Sequence, residues 1–385
     1  MKTIYMDNAA STKTDPAVVD EMLRYYDENY AVASSQFSHS PGIAAREALD
    51  SARSEIADAL NVMPEEIIFT SGGTEANNIA IKGAILSAEK NKNHIICSAI
   101  EHNSVLHSCQ HLEQNGFKVT YLKVDEKGFI DPDQLFDSIN DNTLIVSIQH
   151  GNQEVGTIQD IKRISKICRE KGVLFHTDAV LTFPSYSIDL KDIEADMLSM
   201  SAHKFHGPKG IGALFIRKGT PVKKIFHGGY NEFDIRPGTE NIPGAVGFAK
   251  AVEIAEKYDY DKIRDLQKNL IQGLTSEIEG VELNGPEDLD RRVPGNVNVS
   301  FDKIEGESVV LHYDMRGIAV ITGSACFSRS LEPSYVMMAM GFSHERAHGS
   351  IRYTLSKFNT QEEIDKVIEV SKEIVDSLRK ISPMT

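Results

Sequence analysis

GVLFHTDA, residues 172–179, packs apolar and β-branched side chains, an imidazole and a closing carboxylate into the length of a single strand. So dense an apolar run, bounded by glycine on one side, reads as a strand buried inside a sheet. The same kind of run recurs on both sides of it. EEIIFT (65–70), HIICSA (94–99), KVTYL (118–122) and TLIVSIQ (143–149) precede it, and ADMLSMSA (195–202) and GALFIR (212–217) follow. Turn or helix signals separate the runs, and strands alternating with helices indicate a mostly parallel sheet wrapped by helices. The fold class is therefore α/β, with a large domain built on a mostly parallel seven-stranded sheet. Sheets of this kind bind ligands at the carboxyl ends of their strands, so the residues just after each run are where chemistry is expected.

Further along, AVGFAKAVEIAEKYDY (245–260) and DKIRDLQKNLIQGLTSEIEG (261–280) are long helical stretches that can bridge to a second unit. NVNVSF (296–301) and GSIRYTL (349–355) read as strands, and EEIDKVIEVSKEIVDSLRK (362–380) carries apolar residues at helical spacing, as an amphipathic closing helix should. A chain of 385 residues exceeds one typical core. The expected division is a large α/β domain over residues 15–260 and a smaller α+β domain over 261–385, joined by residues 1–14.

A hydrophobic content of 41% and a charged content of 25% are ordinary for a globular protein, and no apolar stretch is long enough for a membrane span. The opening MKTIYMDNAA resembles neither a secretory signal nor a transit peptide, which gives a cytoplasmic location as the expectation. A net charge of −15 with no basic run argues against direct nucleic-acid binding. The four cysteines, Cys97, Cys109, Cys168 and Cys326, form no CxxC pair, so neither a zinc knuckle nor a disulfide framework is expected. His203 and His206 lack a third ligand at a familiar spacing, and no metal site is assigned.

Four segments carry candidate chemistry. Lys204, in SAHKFHGPKG after a strand run, is placed where a partly desolvated amine can form a Schiff base; the plainer reading of that segment alone is a surface lysine. Asp178 closes its strand where a carboxylate can pair with a protonated pyridine nitrogen, or where it can simply cap a helix. SGGTEANN (71–78) reads as a glycine turn opening a helix, so that N–H groups around Gly73 and Thr74 would cradle an anion. It lacks the lysine and spacing of a nucleoside-triphosphate loop, and a compact phosphate fits it better than a nucleotide. His102, just after HIICSAIE, can stack on an aromatic ring and pass protons, or serve as a buried structural histidine. Ser201, His203 and Thr239 are further candidate phosphate contacts.

SGGTEANN, AIEHNSV, HGNQEVGT, FHTDAV, SAHKFHGPKGIGAL, RPGTEN, GSACFSRSLEPSYV and HGSIRYTLSKF, together and in this order, resemble the cysteine desulfurases of the NifS/IscS group along nearly the whole chain. The resemblance implies a fold-type I pyridoxal 5'-phosphate enzyme, usually a homodimer, which removes sulfur from L-cysteine to give L-alanine and a cysteine persulfide. It implies Lys204 as the Schiff-base lysine, Asp178 at the pyridine nitrogen and His102 stacked on the ring and relaying protons. Phosphate contacts would come from Thr74, Ser201 and His203, with Thr239 reaching the phosphate of a neighbouring subunit. Asn152 matches a cofactor and substrate contact. Arg352 matches the arginine that grips the substrate carboxylate, a task suited to a planar guanidinium. Cys326, in the Gly/Ser-rich GSACFSRS, matches the persulfide-bearing cysteine, whereas Cys97 reads as a packed core residue. The expected sulfur acceptor is a protein such as an iron–sulfur scaffold or a tRNA-thiolation protein. A selenocysteine lyase or another C–S lyase would use the same lysine and ring, and a non-catalytic scaffold or sulfur carrier would keep only the fold. The chain departs from the family at Leu181, where glutamine is usual and where leucine cannot hydrogen-bond the cofactor's phenolic oxygen.

Overall fold

The computed structural model describes residues 3–89, 91–323 and 333–380, so Cys326 lies outside the described residues. Among them, the strands in chain order are β1 (Ile4–Tyr5), β2 (Ile67–Thr70), β3 (His94–Ser98), β4 (Lys118–Leu122), β5 (Thr143–Ser147), β6 (Leu174–Asp178), β7 (Met197–Ser201), β8 (Gly212–Ile216), β9 (Val281–Leu283), β10 (Asn296–Phe301), β11 (Ile318–Ala319), β12 (Ile321–Thr322) and β13 (Ser350–Thr354).

Strands β2 to β8 form a seven-stranded sheet in the order β2-β8-β7-β6-β5-β3-β4. Neighbours from β7 to β4 are parallel, while β8 runs antiparallel to both β7 and β2. The runs quoted above are these seven strands. Apart from the edge strand β4, where only Leu122 is buried, they read as continuously apolar because both sheet faces are covered. Ile96, Val146, Phe175 and Leu198 enter one core, whereas their neighbours Ile95, Ile145 and Met197 enter the core on the opposite face.

A four-stranded antiparallel sheet, β12-β13-β10-β9, forms a second layer packed by the helices Asp261–Glu277 and Gln361–Arg379. Its core joins Leu270, Val297, Ile351, Ile364 and Val367 with Met6 from the other end of the chain. Met6 arrives there because β1 pairs in parallel with β11. The segment after β1 then runs along the edge of β13. Thr354 donates its backbone N–H to the Met6 carbonyl at 2.7 Å, and the Asn8 side-chain amide donates to the Thr354 carbonyl at 2.7 Å. Four residues later Thr12 donates to the His203 carbonyl of the large sheet's site. Residues 4–12 thus stitch the small sheet to the large one. No helix among the described residues is long and apolar enough to cross a membrane.

Candidate active site

Strand polarity gathers the candidate residues at one end of the large sheet. β6 ends on Asp178, β7 ends on Ser201 and continues directly into His203 and Lys204, and β2 leads through Gly72 into the helix Gly73–Ser87. β3 leads to His102, which caps the helix Asn103–Gln114 by accepting the Ser104 N–H on its Nδ1 at 3.1 Å. These ends enclose a cavity of about 250 Å³ lined by Gly73, Thr74, His102, Asp178, Ser201, His203 and Lys204. Asn77, Ser104, Gln149, Gly151, Gln153, Val180 and Leu181 complete its wall.

Asp178 is 7% exposed and does not cap a helix. One carboxylate oxygen accepts the Val180 N–H at 3.0 Å and the other accepts the Asn77 amide at 2.6 Å, which fixes its plane toward the cavity. Asn77 lies on the first turns of the helix that supplies the anion cradle, so one helix orients two parts of the site. That double use escapes sequence reading, although Asn77 stands inside the quoted SGGTEANN motif. Lys204 donates to the carbonyls of Ala9 at 2.5 Å and Ala10 at 3.1 Å, so the N-terminal segment holds its amine.

Burial dominates the protonation of the imidazoles. It holds His102 below its ordinary pKa, with Lys204 acting in the same direction and Asp178 opposing. His203 is pulled down to about 4 by burial and by the charges of Lys204 and Lys209. Both rings are therefore neutral near pH 7 and available to accept a proton or a hydrogen bond. Glu101, beside His102, behaves in the opposite sense. Burial, aided by repulsion from Asp178, pushes its carboxyl up to about 8, although Ser98 and the Gln149 N–H donate to it.

Three sequence candidates sit elsewhere. Asn152 is fully buried, but its amide donates to the Ile100 carbonyl and its oxygen accepts the Glu154 and Val155 N–H groups, so it shapes the turn while Gln149, Gly151 and Gln153 face the cavity. Thr239 is exposed, away from the cavity of its own chain. The preceding segment is held to the helix Ser40–Leu60 by a buried bidentate pair between Arg53 and Glu232, at 2.7 Å for each bond, and to β2 by the Phe69 N–H, which donates to the same carboxylate at 2.7 Å. Arg352, on β13, borders the cavity through Gln153, whose carbonyl accepts from its Nη1 at 3.0 Å. Cys97, Cys109 and Cys168 are buried.

The cavity fits pyridoxal phosphate. The Ser201 hydroxyl and the Asn77 Oδ1 are buried in its wall without a hydrogen-bond partner among the described residues, an arrangement that costs stability unless a ligand completes it. Ser201 Oγ stands 3.6 Å from where a Cβ on Gly72 would lie, directly before the 15-residue helix whose free N–H groups attract a phosphate. A Cβ on Gly73 would come within 2.5 Å of the Val180 side chain, so the cradle requires glycine there. Asp178 supplies the carboxylate suited to a pyridinium and Lys204 the amine suited to an aldehyde.

Comparison with known proteins agrees with this chemistry. The class-V aminotransferase family model matches residues 4–367. The cysteine desulfurase IscS of Clostridium botulinum is 47% identical over 386 aligned positions that cover 100% of this chain and 97% of the relative. Among solved structures, a NifS-like protein superposes with a TM-score of 0.91 at 38% identity, covering 98% of this chain and 100% of that one. The structure of SspA in complex with cysteine has a TM-score of 0.82 at 36% identity, covering 93% and 100%. Matches of this length and identity, around a cavity of this composition, mean that the chain belongs to the class-V aminotransferase family, as a pyridoxal-phosphate-dependent member of its cysteine desulfurase group.

Proposed function

We propose that the chain is a cysteine desulfurase, converting L-cysteine to L-alanine and passing the sulfur to Cys326 for delivery to an acceptor. The observation that carries this reading is the convergence of Lys204, Asp178, His102 and the Gly73–Thr74 anion cradle on one cavity, in a chain 47% identical over its whole length to a cysteine desulfurase. Residues 15–260 would form the cofactor-binding domain, and residues 261–385 with 1–14 the smaller domain.

Pyridoxal phosphate, when bound, supplies an electron-poor conjugated ring into which charge from the substrate's Cα can spread. The cradle at Gly73 and Thr74, with Ser201 and His203, would hold its phosphate, and Asp178 would keep its ring nitrogen protonated. Lys204 Nζ would anchor the aldehyde and then carry the Cα proton. Neutral His102 would relay a proton at the cavity wall. Arg352 would fix the substrate carboxylate. The Cys326 thiolate attacks the substrate sulfur, forming an S–S bond as the Cβ–S bond breaks; the electron pair goes to Cβ, which takes up a proton and leaves as the methyl group of alanine. Leu181 lines the cavity and offers no hydrogen bond to the ring's phenolic oxygen.

A homodimer belongs to the same reading. Thr239 is exposed on its own subunit, and Tyr26, Tyr30, Phe37 and Tyr230 present large apolar surfaces to solvent. A protein sulfur acceptor, such as an iron–sulfur scaffold or a tRNA-thiolation protein, and a cytoplasmic location complete the proposal. The test is Cys326→Ser. It should retain the yellow cofactor and lose sulfur transfer to an added thiol acceptor by about 10²-fold or more; full sulfur release from the variant would remove Cys326 from the mechanism.

A further inference from the structure

Arg352 is 7% exposed, and its guanidinium is held at both terminal nitrogens. Nη1 donates to the Gln153 carbonyl at 3.0 Å and Nη2 to Asp7 Oδ1 at 2.7 Å, while Nε is buried with no hydrogen-bond partner among the described residues. A buried guanidinium N–H without an acceptor is costly and marks a place where an acceptor is expected to arrive. The other acid that acts on Arg352, Glu154, is fully buried, and burial pushes its carboxyl above the ordinary range. Asp7 is the acid that makes the ion pair. Its place is set by the backbone around it, since Asp7 bridges to Thr354 on β13 and its carbonyl accepts the Tyr5 hydroxyl at 3.0 Å. Two and three residues on, Ala9 and Ala10 hold the amine of Lys204. One short segment therefore touches both the guanidinium that would receive the substrate carboxylate and the amine that would act at its Cα.

We propose that Asp7 is a positioning and specificity-determining residue for the substrate carboxylate site. It turns the Nε edge of Arg352 toward the incoming carboxylate. Its own negative charge also leaves the site close to neutral before substrate binds, so a ligand bearing an α-ammonium group is favoured over a bare carboxylate. This inference rests on the reading of Arg352 given under the proposed function and goes beyond it by assigning a role to a residue at the opposite end of the chain.

Two substitutions in the pyridoxal-phosphate-loaded enzyme separate the two effects, with alanine formation from L-cysteine and inhibition by propionate, which is alanine without its amino group, as readouts. Asp7→Ala removes the acceptor and should raise KM for L-cysteine about 10-fold with kcat within about 3-fold of wild type. Asp7→Asn keeps an oxygen for Nη2 and removes the charge, so KM should return to within about 3-fold of wild type while propionate inhibits about 5-fold more strongly. The inference is overturned if Asp7→Ala leaves KM within about twofold of wild type, or if Asp7→Asn shifts KM as far as Asp7→Ala does with propionate inhibition unchanged. Failure of the underlying reading would look different, because wild type itself would then form no alanine from L-cysteine.

Discussion

At the floor of the cavity, Asp178, Ser201 and Lys204 stand at the ends of adjacent strands buried on both faces, whereas at the seam beside it Arg352 is held by Asp7, 345 residues away in the chain. The floor is placed by strands that cannot shift without exposing two cores at once. The seam is placed by a run of single hydrogen bonds between β13 and the N-terminal segment. On the proposed reading, the groups that would meet the cofactor are carried by the rigid sheet, and the groups that would meet the amino acid lie where the small sheet adjoins the large one.

The largest expected effect falls on the floor. Lys204→Ala should lower alanine formation by about 10⁴-fold or more, since on the proposed reading it removes both the anchoring amine and the proton carrier. Retention of even a tenth of the activity would show that the floor is not where the chemistry occurs. At the seam, Arg352→Lys keeps the charge but loses the planar fork, and kcat/KM for L-cysteine should fall by about 10²-fold with the cofactor still bound. If the substitution instead released the cofactor, floor and seam would not be separable regions.

The smallest effect concerns stability. Glu101 titrates at about 8 in the folded chain against an ordinary value of 4.5, so between these values the folded state binds more protons than the unfolded state. Its contribution is fully present below the ordinary carboxylate range and is lost as pH rises through about 8. Glu101→Gln, a permanently neutral near-isostere, should therefore gain on wild type by about 1–3 kcal/mol between pH 6 and pH 9 in thermal unfolding. Parallel unfolding curves for the two proteins across that interval would show that the carboxyl is ionised throughout.

The same contrast explains what could be read from the sequence. Six of the seven strands were legible because burial writes a mostly apolar run, while the edge strand β4 was legible from its β-branched and aromatic residues, and the floor residues were legible because each closes or follows such a run. Asn77 was harder: its amide reaches Asp178 across 101 positions, and nothing local distinguishes it from the neighbouring Asn78, whose amide bonds the Thr74 carbonyl. Asn152 shows the same limit from the other side, since a polar residue in a glycine-flanked turn has one sequence appearance whether its amide faces a ligand or bonds the backbone, as it does here to Ile100, Glu154 and Val155. The pairing of Asp7 with Arg352 leaves no trace in composition or periodicity, because it depends on the parallel pairing of two-residue strands, β1 with β11. The neutral character of His102 and the raised pKa of Glu101 likewise follow from burial, which adjacent letters do not encode.

The most direct measurement is to incubate the purified protein with pyridoxal phosphate and L-cysteine, quantify alanine, and weigh the Cys326 peptide by mass spectrometry without reducing agent. Alanine appearing together with one added sulfur on that peptide is the expected result. Bound cofactor with neither alanine nor added sulfur would contradict the proposed function.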